Sequence, residues 1–107
     1  RGRLKFTLGD EQGAIGDYDK AIALDPTNSE AFFFRGVSKS RKADLNGGLQ
    51  DFNKCISLNP NDGAAYYFRG FLKIEMNNIK GACSDFSKAG ELGYMDAYDA
   101  IKENCNN

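Results

Sequence analysis

The chain has 107 residues, 41% of them hydrophobic, and its 14 basic and 15 acidic side chains leave a formal charge of -1. That is room for one small domain, with no basic field to draw in phosphate backbones or anionic membrane, so nucleic acid is not an expected partner. Histidine is absent, which removes the commonest general base near neutral pH and the commonest metal ligand together, and no apolar run approaches the roughly 20 residues that span a bilayer.

Read in chain order, Arg1-Gly2 is a dipeptide that returns as Arg35-Gly36 in the middle of a predicted helix. The chain is therefore expected to begin inside a helix of a longer parent protein. Asp10, Asp44 and Asn78 each precede an apolar periodicity, where a short side-chain acceptor can cap free backbone N–H groups for about 1 kcal/mol each. The punctuation Asp25-Pro26-Thr27-Asn28 predicts a stop and a fresh start, with a helix from Ser29 to about Lys42. That helix carries "AFFFRG" at 31–36, and "AYYFRG" returns at 65–70. Successive helical residues are turned by about 100°, so the three rings of each hexamer cannot all enter one core. Leu45, Leu49, Phe52, Cys55 and Ile56 form the stripe of a second helix that ends at Leu58 before Asn59-Pro60. At the end, Tyr98, Ile101 and Cys105 are spaced for a capping helix of roughly Asp96 to Asn104.

The chain repeats itself at a spacing of 34. Identical triplets occur at Arg1, Arg35, Arg69; Gly2, Gly36, Gly70; Lys5, Lys39, Lys73; Gly13, Gly47, Gly81; Asp17, Asp51, Asp85; Lys20, Lys54, Lys88; and Leu24, Leu58, Leu92. Two helices per period follow. Gly36 and Gly70 sit inside helices, where glycine is disfavoured by roughly 0.5 to 1 kcal/mol, which predicts close contact with the rings of Phe52 and Phe86. Arg35 with Asp51, and Arg69 with Asp85, recur sixteen residues apart and are expected to pair within the repeat. Lys39 and Lys73 are expected to lay their stems on apolar neighbours with the amines in water.

These columns resemble the tetratricopeptide repeat, a helix-turn-helix unit with small and aromatic positions and a closing proline. The likeness covers about residues 1–94, with Arg35 and Arg69 where the family has leucine, Lys39 and Lys73 where it often has tyrosine, and Tyr94 in place of a third proline. It implies an all-α, right-handed solenoid of antiparallel helix hairpins: a truncated repeat 1–26, repeats 27–60 and 61–94, and a cap at about 95–105. By the same resemblance the concave groove is lined by Arg3, Phe6, Phe33, Val37, Ser40, Arg41, Tyr67, Phe71, Ile74 and Glu75. The family's basic clamp on a C-terminal carboxylate needs lysine and asparagine at places that here hold Phe33, Val37, Tyr67 and Phe71. An apolar or aromatic peptide, or a partner helix, fits that surface better.

No catalytic constellation, cofactor motif or metal set is present in the pattern. Cys55, Cys83 and Cys105 lack the close spacing of zinc or redox sites. Their odd, sparse count predicts reduced thiols and favours the cytoplasm, with Cys55 and Cys83 as small buried apolar residues. The expected function is a non-enzymatic scaffold for a protein or peptide segment, monomeric or weakly self-associating. An oligomerisation or spacer module, or a regulatory appendage of an enzyme encoded upstream, are the alternatives.

Overall fold

The computed structural model describes residues 11–105, and these form six helices: α1 Glu11–Leu24, α2 Ser29–Arg41, α3 Leu45–Leu58, α4 Gly63–Glu75, α5 Ile79–Glu91 and α6 Asp96–Asn104. No strand occurs among the described residues. The chain divides into two compact units, Arg1–Asn59 and Pro60–Asn107. In the first, α1 packs on α2 and α2 on α3; in the second, α4 packs on α5 and α5 on α6.

Local chemistry sets the helix ends. Asn28, Asp44, Asp62 and Asn78 each accept a hydrogen bond from the backbone N–H three residues on, at Ala31, Gly47, Ala65 and Gly81, satisfying a donor that the helix leaves orphaned. Asp10, expected to do the same, lies outside the described residues. Three helices close alike: the N–H groups of Ala43 and Asp44 reach back to Ser40 and Lys39, those of Asn77 and Asn78 to Ile74 and Lys73, and those of Gly93 and Tyr94 to Gly90 and Ala89. This double bond pattern needs a left-handed residue just past the helix, supplied by Ala43, Asn77 and Gly93 at φ 68°, 64° and 96°.

The helical glycines are contact points. A Cβ on Gly36 would stand 3.1 Å from the ring of Phe52, and one on Gly70 only 2.6 Å from that of Phe86. Both rings are fully buried. In the first unit Ala14, Tyr18 and Ala31 join with Phe34; in the second Phe86, Ala82, Ala89, Ala97 and Ala100 form the core.

Each unit also holds a buried carboxylate in a cationic fork. Arg35 donates from Nε and Nη2 to the two oxygens of Asp51, both at 2.8 Å, and Arg69 does so to Asp85 at 2.9 and 2.8 Å. Asp51 and Asp85 are each 4% exposed, so the paired geometry is what makes their burial tolerable. The bond to its aspartate raises the pKa of each arginine. Here the expectation for the lysines is corrected: Lys39 Nζ lies 3.6 Å from Asp51 Oδ2 and Lys73 Nζ 3.2 Å from Asp85 Oδ2. A carboxylate has four lone-pair sites, and the arginine fork leaves room for a further cation.

The cysteine expectation also fails in part. Cys55 is buried as expected, but Cys83 on α5 and Cys105 just past α6 form a disulfide, with Cα atoms 5.9 Å apart. The two cysteines face each other because α6 folds back along α5, a juxtaposition created by the turn at Gly93 and not by sequence spacing. The argument for a reducing compartment, which rested on unpaired thiols, goes with it.

Candidate functional site

In the first unit the rings of "AFFFRG" part company. Phe32 is buried at 8% exposure, with the Arg35 guanidinium 5.5 Å from its ring centre. Phe34 stacks on Tyr18 of α1 at 5.9 Å, and Phe33 meets Phe34 edge-on at 5.0 Å and Phe52 at 5.9 Å. Phe33 and Phe34 both stay half-buried. Val37 is buried at 6%, so its side chain belongs to the core and offers a partner no surface. The Ser40 hydroxyl donates to the carbonyl of Gly36 at 2.8 Å. Arg41 is exposed and lies 3.4 Å from Glu11. Arg3 and Phe6 are outside the described residues.

The second unit gathers its rings more tightly. Tyr67 and Phe71, one turn apart on α4, meet edge-on at 5.0 Å, and Phe71 lies 4.9 Å from the buried ring of Phe86. Tyr94 reaches Tyr67 from the α5–α6 connection at 4.7 Å. Phe71 is 39% exposed, so the cluster breaks the surface; Met95, next to Tyr94 in the chain, is 65% exposed. Ile74 is half-buried against the core and Glu75 ends α4 in solvent. Tyr67 and Phe71 are thus brought together, whereas Ile74 packs on the core and Glu75 is simply exposed.

The sequence pattern overlooked Tyr94, Met95 and the acids behind them. Burial raises the pKa of the Tyr67 phenol, and the fields of Asp96, Glu103 and Asp99 add to it; Tyr94 is raised by burial and then by Asp96 and Asp62. Both phenols therefore stay neutral hydrogen-bond donors throughout the physiological range. One signal was available: Tyr94 stands where Pro26 and Pro60 stand in the earlier units, and a ring that displaces a turn proline has a neighbour to meet.

Among the described residues no group of three or more histidine, cysteine or acidic side chains could hold a metal ion, and no helix is long and apolar enough to cross a membrane. What the second unit offers is a partly exposed aromatic cluster that carries two phenolic donors.

A family model described as "Tetratricopeptide repeat" matches residues 1–28 and 29–62. The TPR repeat-containing protein MJ1428 of Methanocaldococcus jannaschii is 42% identical over 45 residues, a match covering 42% of this chain and 8% of that protein. The chain therefore spans under a tenth of that relative's length. The structure titled first TPR of Spaghetti (RPAP3) bound to HSP90 peptide SRMEEVD superposes with a TM-score of 0.90 at 24% identity, over 97% of this chain and 84% of the other. PcrH in complex with the chaperone binding region of PopD gives 0.90 at 15% identity, over 97% and 85%. At such identities the likeness is one of fold.

Proposed function

Because this chain belongs to the tetratricopeptide repeat family, we propose that it is a non-enzymatic interaction module that takes up a peptide or helical segment of a partner protein on the ring-bearing face of α4 in its second unit. The reading takes the repeats as 27–60 and 61–94, closed by a cap. One observation carries it: Phe71 stays 39% exposed although it is one of four clustered rings, the fully buried Phe86 among them. A ring half-covered by its own fold leaves apolar area whose burial by a partner is worth about 25 cal/mol per Å². The neighbours of like fold caught with a peptide or with a partner's binding region support it.

The test compares wild type with Phe71→Ala in affinity capture, followed by calorimetric titration of each captured partner. Partners are expected to be lost, or weakened about tenfold or more, with Phe71→Ala, while the circular dichroism spectrum stays unchanged. Equal capture by both proteins would count against the face. A concentration-dependent dimer seen by light scattering and abolished by Phe71→Ala would give the surface to a second copy of the chain instead.

A further inference from the structure

We propose that the Tyr67–Phe71–Tyr94 face selects a segment in which an apolar side chain stands beside an arginine or lysine, the ring cluster taking the first and the acids of α6 the second. This rests on the reading just given, and adds the chemistry of the partner to it.

The face has an apolar centre and an acidic edge, both inside the second unit. Tyr67, Phe71 and Tyr94 supply the centre, with ring contacts of 4.7 and 5.0 Å holding Tyr67 and its neighbours in place. Asp96, Asp99 and Glu103 supply the edge: at i, i+3 and i+7 of α6 they share one helix face, which begins two residues past Tyr94, and their fields reach the Tyr67 phenol. Charges left in this state are an attraction waiting for a counterion: among the described residues no basic side chain lies within ion-pair distance of Asp96, Asp99 or Glu103. The two cations of α4, Arg69 and Lys73, both converge on Asp85. On α6 itself three acids face one cation, Lys102. Tyrosine faces also attract cations, by about 0.5–1 kcal/mol at exposed sites. An acidic partner would be repelled by the edge, and a purely apolar one would leave the acids desolvated without compensation.

The probe is a library of random peptides of about twelve residues, displayed on phage and selected against the whole chain. Enriched sequences are expected to place a large apolar residue within two positions of Arg or Lys. Binding of the best peptide should fall about tenfold on Phe71→Ala, and about tenfold in the variant Asp96→Asn, Asp99→Asn, Glu103→Gln. Glu103→Lys repeats the charge test alone, at the last turn of α6 where a cation suits the helix dipole, so a loss there is not a loss of the helix. Enriched peptides that are apolar without basic residues, lost with Phe71→Ala but indifferent to the acid variants, overturn the charge selection and leave the docking reading standing. Peptides indifferent to Phe71→Ala overturn both.

Discussion

Ala43 and Asn77 stand in one repeat column, and both hold the left-handed backbone that closes a helix, at φ 68° and 64°. Asparagine tolerates that region; alanine is forced into it at about 1 kcal/mol, because its Cβ crowds the following carbonyl. Gly9 occupies the same column one period earlier. Ala43→Gly is therefore expected to stabilise the fold by about 0.5–1 kcal/mol, the gain reduced by the greater freedom of glycine in the unfolded chain. Chemical denaturation would show it as a higher midpoint at unchanged slope; a lower midpoint would mean that Ala43 is relaxed where it stands. At this scale the sequence was legible wherever two partners recur in step. The Arg35–Asp51 and Arg69–Asp85 forks and the Gly36–Phe52 and Gly70–Phe86 contacts all follow from paired columns. It misled for Lys39 and Lys73, because a lysine on a helix face reads as solvated unless the carboxylate beneath is already known to have a vacant lone pair. Val37 was assigned to the surface by resemblance alone, and its burial depends on packing that a single helix does not specify.

The element least able to stand by itself is α6. Its nine residues fall short of the roughly 12–15 that an isolated helix needs, and Met95 gives it no side-chain cap. It is held by Ala97 and Ala100, buried against α5, with Ile101 packed on the same core, and by the disulfide from Cys83 to Cys105 across a separation of 22 residues. A crosslink of that span is worth about 2–4 kcal/mol through the unfolded chain. Cys83→Ser with Cys105→Ser is expected to lower stability by that amount and to bring the amides of α6 to exchange first, before those of α5. A double variant with the wild-type denaturation midpoint would show that the clamp contributes nothing. The pairing was invisible in the sequence for a physical reason. Cys83 shares a column with Ile15 and Leu49, where a thiol passes for a core residue, and Cys105 lies beyond the repeat, so no column joined them. The capping helix itself was readable, since the spacing of Tyr98, Ile101 and Cys105 is helical; its partner on α5 was not.

For the molecule as a whole, the division at Asn59 and Pro60 matters more than the repeat count. Repeat arrays gain stability from each unit and from each interface between neighbours, and here the second unit combines a core, a buried ion group and a disulfide. The core of Phe86, Ala82, Ala89, Ala97 and Ala100, the Arg69–Asp85–Lys73 group and the disulfide all fall between Pro60 and Asn107. Chains this short seldom bury enough apolar surface to fold without a crosslink, a metal or a partner. A fragment of residues 60–107 is therefore expected to keep a helical, cooperative melt while Cys83 and Cys105 are bonded, and to lose most of its helicity at 37 °C when they are reduced. The same reduction of the entire 107-residue chain should leave much of the first unit's helix signal, because the core of Ala14, Tyr18, Ala31 and Phe34 contains neither cysteine. Far-ultraviolet circular dichroism of both proteins, with and without a phosphine reductant, reads the difference directly. An oxidised fragment that is unfolded at room temperature would show that the crosslink and the buried fork are together too little, and that the second unit takes its stability from the rest of the chain.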